Sequence, residues 1–247
     1  MRLLTLVVSI FAAAAACTGG SNASDGKSLT VFAASSLTDV FADLGAAFER
    51  RNRGIEVDFV FGSSSELATQ LEQGARGGVF ASADQVSMAR AVDAGLVDGR
   101  PQVFARNELE IVVPRENPGS VRGLSDLEDE SLVVTICNPE CPAGRYALEV
   151  FDNAGIAVTP DSFEAEVKGV VTRVALGEAD VGIAYATDTN AASGEVLGIP
   201  IPEGVGVSAE YLIARLTDEN PAADRWLEFV VSGEGQETLR DFGFLAP

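Results

Sequence analysis

After residue 28 the chain alternates short apolar runs with amphipathic stretches. The apolar runs are bounded by glycine, proline or polar residues, which is typical of strands buried in a sheet. The predicted strands are residues 29–32, 57–61, 109–113, 132–136, 181–185 and 211–215. Because helical patterns separate most of these strands, the order along the chain predicts an α/β fold.

The clearest helical pattern lies in residues 37–50, where apolar side chains recur every three or four positions. Similar patterns, each followed by a glycine suited to ending a helix, predict five more helices. These helices are residues 66–73, 83–94, 144–154, 168–176 and 222–232, and the glycines are Gly74, Gly95, Gly155, Gly177 and Gly233. Glycine and proline in residues 114–119 indicate a boundary between two lobes.

The first 28 residues differ from the rest of the chain. Residues 1–16 carry one positive charge followed by an apolar run, which is typical of a signal peptide and shorter than the roughly 20 residues of a membrane span. Three alanines precede Cys17 and resemble a bacterial lipobox. We therefore expect lipidation at Cys17, a tether in residues 17–28, and export to the outer face of the membrane. An ordinary secreted protein is the alternative.

Charge and composition argue against several functions. The 37 acidic and 17 basic residues give a net charge of −20, which repels a nucleic-acid backbone. The chain has no histidine, so serine and cysteine hydrolases lack their usual base. A secreted hydrolase remains an alternative, but it also lacks a Gly-x-Ser-x-Gly elbow. We expect no enzymatic activity, no cofactor and no nucleic-acid partner.

Two predicted strands end in serine clusters from which a helix begins at once. The serines are Ser35, Ser36, Ser63, Ser64 and Ser65. Serine is a common helix cap, and three pairs fit capping boxes: Ser36 with Asp39, Ser63 with Glu66, and Ser82 with Gln85. A cap uses one hydroxyl, so the surplus at the ends of strands favours a ligand site. Helix N-termini and hydroxyls attract anions, and we expect a fully ionised oxyanion.

Residues 29–247 resemble the molybdate-binding proteins of bacterial molybdate ABC importers. The matching segments are TVFAASSL at 30–37, GSSS at 62–65, FASAD at 80–84, PAGRYA at 142–147, GEADVGIAY at 177–185 and FGF at 242–244. The resemblance implies a two-lobed periplasmic-binding-protein fold of type II with a ligand cleft between the lobes. Lobe 1 is expected in residues 29–107 and 208–247, and lobe 2 in residues 108–207. The implied function is capture of molybdate or tungstate by a monomer that delivers it to a permease.

In that family neutral groups hold the ligand: serine hydroxyls, backbone amides and a tyrosine. The matching residues here are Ser36, Ser64, Ala143, Val167 and Tyr185, with Ser35 and Ser63 as further candidates. The resemblance implies no resident metal, because molybdenum enters only within the oxyanion. Two alternatives remain open. Tyr185 taken alone also fits an aromatic residue packed at a strand end, and the whole chain also fits a surface lipoprotein without a ligand.

Cys137 and Cys141 lie just before Ala143 and depart from the family pattern. An exported compartment is oxidising, so a disulfide between them is expected. A loop this short contributes only about 2 kcal/mol in the chain-entropy treatment, so we interpret the bond as a local brace for the turn before Ala143. A metal site is the alternative, although two thiolates without histidine supply half a ligand set.

Overall fold

The computed structural model describes residues 28–218 and 220–247. The predicted signal peptide, residues 1–16, the predicted lipidation site, Cys17, and the rest of the predicted tether up to residue 27 lie outside the described residues, whereas Ser28 is the first residue of a strand. In the described part the chain forms nine strands, eight α-helices and two 3-10 turns.

The strands belong to one mixed sheet. Their bounds are β1 Ser28–Ala34, β2 Glu56–Gly62, β3 Val79–Ser82, β4 Val97–Pro114, β5 Val134–Cys137, β6 Ser162–Glu164, β7 Val181–Tyr185, β8 Val196–Pro200 and β9 Ser208–Leu216. All six predicted strands are present. The strands β3, β6 and β8 had no prediction, and each has only three to five residues.

Eight α-helices accompany the sheet in the described residues. Their bounds are α1 Thr38–Arg51, α2 Ser64–Glu72, α3 Gln85–Asp93, α4 Pro142–Ala154, α5 Val167–Ala175, α6 Ala186–Ala191, α7 Pro221–Val231 and α8 Gly233–Asp241. The six predicted helices are confirmed, whereas α6 and α8 had no prediction. The expectation that Gly233 ends a helix is wrong, because Ser232 caps the start of α8 there and Gly233 is its first residue.

The strand order is β2-β1-β3-β9-β4-β7-β5-β6, and β8 also pairs with β4. The long strand β4 pairs with β9 through Glu108, and from Leu109 onward it pairs with β7 and β8. We call the elements on the β9 side lobe 1 and those on the β7 side lobe 2. Residues 115–119 form a turn after β4, so β4 changes partners earlier in the chain than the boundary predicted in residues 114–119. The lobe limits inferred from the family resemblance stay a prediction.

An aromatic cluster fixes α1 against the sheet of lobe 1. Phe41 and Phe48 of α1 meet Trp226 of α7 edge-on, with ring centroids 5.6 and 5.3 Å apart. All three side chains are fully buried, and aromatic residues in this geometry contribute more than their buried area alone. The packing holds the start of α1 at the carboxyl end of β1.

Candidate functional site

Strand register brings the two serine clusters together. In the parallel pair formed by β1 and β2, Ala34 lies opposite Gly62. The residues that follow, Ser35 and Ser36 after β1 and Ser63 and Ser64 after β2, therefore leave the sheet at the same edge. Ligands of open α/β sheets bind at this edge, beyond the carboxyl ends of the strands.

All seven candidate residues line one small cleft. The lining residues are Ala34, Ser35, Ser36, Gly62, Ser63, Ser64, Ala83, Cys141, Pro142, Ala143, Val167 and Tyr185. The enclosed space is small, so this cleft suits a small ligand. Its lining contains no Asp, Glu, Lys or Arg, and it therefore offers neutral groups to a ligand.

Helix N-termini meet at the cleft from both lobes. Ser64 is the first residue of α2, Ala143 the second of α4, and Val167 the first of α5. The first N–H groups of a helix have no acceptor within the helix, and the N-terminal end carries a partial positive charge. Ala143 follows Pro142, which has no N–H, so the Ala143 amide is the first donor of its helix. These groups form an environment that stabilises negative charge.

The capping boxes predicted for Ser36 and Ser63 are wrong. Ser36 lies within the 3-10 turn Ser35–Leu37, and its hydroxyl lies 2.8 Å from the Tyr211 hydroxyl. Ser63 has the N-cap conformation of α2, but its hydroxyl lies 3.0 Å from that of Ser65. A tertiary contact thus takes the place of the cap at Ser36, and a local contact between two serine hydroxyls takes its place at Ser63.

The third predicted box, Ser82 with Gln85, is also wrong. The cap of α3 is Asp84, whose carboxylate accepts the Ser87 backbone N–H at 3.0 Å. Ser82 donates its hydroxyl to the Asp84 carbonyl at 2.8 Å. A carboxylate is the stronger acceptor at the positive end of a helix, so the acidic residue takes the capping position.

Ser64 has one hydroxyl proton free for a ligand. Its Oγ accepts the Ala83 backbone N–H at 3.0 Å, and the residue is buried. A hydroxyl carries one proton and two lone pairs. Because the Ala83 amide occupies a lone pair, the proton remains available to an acceptor in the cleft.

Tyr185 ends β7 with a buried hydroxyl that has no hydrogen-bond partner in the described part of the chain. Buried polar atoms nearly always have a partner, so an orphaned hydroxyl on a cleft wall indicates a ligand contact. Burial, with the nearby Tyr211, raises the pKa of Tyr185 well above its ordinary value. The phenol is therefore a neutral donor. Its ring also packs against Tyr211, at 5.8 Å between centroids, so packing and lining the cleft are both roles of this residue.

A disulfide joins Cys137 to Cys141, as the sequence predicts. Cys141 is the N-cap of α4 and lies two residues before Ala143. The Asn138 side-chain oxygen also accepts the backbone N–H groups of Glu140 and Cys141, at 2.9 and 3.0 Å. The covalent bond and the amide together fix the turn that presents the Ala143 amide.

Two ion pairs cross between the lobes beside the cleft. Arg145 of α4 pairs with the buried carboxylate of Asp84, and Lys168 of α5 pairs with Asp39 of α1 at 2.6 Å. Neither pair had a prediction. Each links a helix of lobe 1 to a helix of lobe 2, so these contacts stabilise the arrangement in which both lobes face the same cleft.

A small cleft between two α/β lobes, lined by neutral donors at helix N-termini, defines a solute-binding protein of the periplasmic type. The family model described as bacterial extracellular solute-binding protein matches residues 29–245. The description places members of this family outside the cytoplasm. In residues 28–218 and 220–247, no helix combines the length and the apolar character that crossing a membrane requires.

Two curated relatives narrow the family. The chain is 39% identical over 223 residues to the molybdate-binding protein ModA of Mycobacterium tuberculosis, covering 90% of this chain and 85% of the relative. It is 32% identical over 254 residues to ModA of Escherichia coli, covering 96% and 97%. The chain therefore belongs to the ModA family of bacterial extracellular solute-binding proteins. The predicted family and the assignment to a binding protein instead of an enzyme are confirmed.

A solved structure supports the fold. The periplasmic molybdate-binding protein of Azotobacter vinelandii superposes with a TM-score of 0.76 at 20% identity, covering 89% of this chain and 99% of that structure. The type II periplasmic-binding-protein fold predicted from the sequence is confirmed. The roles of the seven candidate residues in ligand binding stay a prediction.

Proposed function

We propose that this chain captures molybdate, and tungstate of nearly the same size and charge, and delivers it to an ABC import permease. The observation that carries the proposal is the buried Tyr185 hydroxyl, which has no protein partner and lines the same cleft as Ser36 and Ser64. A tetrahedral oxyanion would accept hydrogen bonds from all three hydroxyls.

The donors match the charge state of the ligand. Ser36, Ser64 and Tyr185 offer hydroxyl protons, and Ala143 and Val167 offer first-turn amides. A fully ionised oxyanion accepts hydrogen bonds and donates none. Hydrogen bonds to a charged group contribute about 1.5–3 kcal/mol each, so a few such donors supply substantial affinity without a cationic side chain.

The net charge of −20 is compatible with an anionic ligand. At about 0.15 M salt the Debye length is roughly 8 Å, so exposed carboxylates beyond that distance act weakly on the cleft. Aligned N–H groups and hydroxyls act at contact distance. The overall charge therefore slows the approach of the anion more than it weakens the bound state.

Delivery to a permease requires the protein to stay near the membrane, and the proposed means is lipidation at Cys17. We propose that the lipid-anchored chain acts as a monomer. Mass spectrometry of the membrane-fraction protein tests the anchor: a diacylglycerol mass on a chain beginning at Cys17 is expected. An unmodified N-terminus at another residue would contradict lipidation without affecting the ligand proposal.

Titration calorimetry with molybdate, tungstate, sulfate and phosphate tests the ligand. Molybdate and tungstate are expected to bind with similar affinity, and sulfate more weakly because a smaller anion leaves donors beyond contact. The variants Ser36→Ala and Ser64→Ala are each expected to weaken molybdate binding by about tenfold or more.

Ser193→Ala is the matched control, because Ser193 is exposed and lies outside the cleft. The control is expected to bind as the wild type does. Molybdate binding no tighter than sulfate binding would overturn the ligand assignment. Absence of binding to any oxyanion would instead favour the surface lipoprotein without a ligand.

A further inference from the structure

Tyr211 of β9 lies directly behind Ser36 and does not line the cleft. We propose that Tyr211 is a positioning residue that keeps the Ser36 hydroxyl proton directed at the ligand, with Asn107 fixing the direction of the hydrogen-bond chain. The inference rests on the proposed oxyanion-binding function and adds to it two residues that do not touch the ligand.

The series of hydrogen bonds begins at Asn107 of β4, whose side chain is buried. Its Oδ1 accepts the Glu108 backbone N–H at 3.0 Å, and this contact fixes which end of the amide carries the oxygen. The Nδ2 group donates to Thr187 Oγ1 at 2.8 Å and lies 3.5 Å from the Tyr211 hydroxyl. Asn107 therefore presents a donor to Tyr211.

The next step runs from Tyr211 to Ser36. Because Asn107 offers only a donor to Tyr211, the phenol oxygen accepts on that side, and its proton goes to Ser36 Oγ at 2.8 Å. If Ser36 donated to Tyr211 instead, the Tyr211 proton would have no acceptor among the described residues, and an unsatisfied buried donor costs about 1–3 kcal/mol. Ser36 accepts from Tyr211, and its own proton is left for the cleft.

The Tyr211 ring is held by aromatic neighbours. It meets Phe104, Tyr185 and Phe244 at centroid distances of 6.3, 5.8 and 5.4 Å. The side chain is fully buried, and burial raises the pKa of Tyr211 far above its ordinary value, so the phenol keeps its proton. A ring fixed on three sides holds its hydroxyl in one place.

Ser36 and Ser64 then behave alike. The Tyr211 hydroxyl occupies a lone pair of Ser36, and the Ala83 amide occupies one of Ser64. Both hydroxyls thus face the ligand as donors. A fully ionised anion satisfies both, whereas an anion that carries a proton also needs an acceptor, so this arrangement favours molybdate over monohydrogen phosphate.

The test is a double-mutant cycle with Tyr211→Phe and Ser36→Ala, read out by molybdate affinity. Tyr211→Phe alone is expected to weaken binding by about three- to thirtyfold, because the Ser36 hydroxyl is free to rotate. In the Ser36→Ala background the same change is expected to have no further effect. The ratio of molybdate affinity to monohydrogen phosphate affinity is expected to fall in Tyr211→Phe, which general destabilisation of the fold does not explain.

Tyr146→Phe is the matched control, since Tyr146 lies outside the cleft lining, and it is expected to leave affinity unchanged. Asn107→Asp is a second variant, because it replaces the donor by an acceptor and draws the Tyr211 proton away from Ser36. It is expected to lower the same affinity ratio. The inference is overturned if Tyr211→Phe lowers molybdate affinity equally in the wild-type and Ser36→Ala backgrounds. It is also overturned if Tyr211→Phe alone binds molybdate as tightly as the wild type. In both cases the proposed function still holds if the unmutated protein binds molybdate.

Discussion

At the scale of individual side chains, a substitution at Tyr185 is expected to weaken ligand binding without lowering the stability of the fold. Its buried hydroxyl has no protein partner in the described residues, so Tyr185→Phe removes no hydrogen bond from the free protein. We expect unchanged or slightly higher thermal stability, together with molybdate affinity about 10- to 100-fold weaker, since a hydrogen bond to a charged ligand contributes about 1.5–3 kcal/mol. Calorimetry and thermal unfolding of the same sample measure both. Wild-type affinity in this variant would place the ligand elsewhere.

Asp188 of α6 predicts a pH dependence of stability. Its side chain is buried, and Oδ2 has no partner in the described chain. Burial raises the pKa of Asp188 from 3.8 to about 7; Lys168 lowers it, and Asp39 and Glu166 raise it further. Between about pH 4 and pH 7 the folded state therefore binds a proton that the unfolded state has released, so this contribution to stability falls as pH rises.

Urea unfolding at pH 5 and pH 8 measures the effect of Asp188. The wild type is expected to lose stability between these values, by at most roughly 3 kcal/mol from this group, because about two pH units lie between pH 5 and the pKa of about 7. Asp188→Asn keeps the shape without the charge and is expected to remove most of that difference. An identical pH dependence in the variant would show that Asp188 does not titrate in this range.

The site could be predicted from the sequence only in part, and Ser36 shows why. A serine before a helix has the same local pattern whether it caps the helix or faces a ligand. Its partner Tyr211 lies 175 residues away, and no local pattern encodes that contact. Family resemblance supplied candidates such as Tyr185 and Val167. Tyr211 and Asn107, which lie behind the cleft lining, could be identified only from the three-dimensional structure.

At the scale of the elements, the contact between α3 and α4 links the lobes. Arg145→Met keeps the apolar stem of the side chain but leaves the buried Asp84 carboxylate with its hydrogen bonds at the start of α3 and without its ion-pair partner. An uncompensated buried charge is costly, so the arrangement with both lobes against the ligand is expected to loosen. We expect molybdate to dissociate about tenfold faster in stopped-flow measurements.

A pair within lobe 1 supplies the comparison for Arg145. Arg76 forms an exposed ion pair with Asp218 at 2.8 Å, and exposed pairs contribute little. Arg76→Met is expected to leave the dissociation rate unchanged. Equal dissociation rates in Arg145→Met and the wild type would mean that the pair between the lobes does not stabilise the bound state.

The elements with a strong hydrophobic period were predictable, and the others were not. Helix α1 buries Val40, Phe41, Leu44 and Phe48 on the face that the sequence pattern indicates. Helix α8 buries only Gly235 and Leu239, and because Leu239 is its one large apolar residue, no apolar repeat is there to detect. Strand β6 has three residues, too few for a period of two to be distinguished from a loop.

For the whole molecule, the charge of −20 predicts how salt affects association. A negatively charged protein repels a dianion at long range, and salt screens that repulsion. The association rate of molybdate is therefore expected to rise with added sodium chloride, by about a few fold between low and physiological ionic strength. A rate that falls steeply with salt would indicate a basic entry path.

The α/β class followed from the pattern of strands and helices, but the two-lobed arrangement came from the family resemblance. Periodicity does not reveal that one strand, β4, passes from β9 to β7 and β8 and so joins the lobes. The apolar pattern marked only residues 109–113 of a strand that spans Val97–Pro114. The earlier part is mostly polar and partly exposed, so its pairing with β9 was visible only in the structure.

The central claim is that neutral donors alone hold a fully ionised oxyanion between the lobes. A crystal structure of the protein with bound molybdate tests it most directly. We predict the four oxygens within hydrogen-bond distance of the Ser36, Ser64 and Tyr185 hydroxyls and of the Ala143 and Val167 amides, with no charged side chain in contact. Molybdate held by a lysine or arginine, or bound outside this cleft, would contradict the claim.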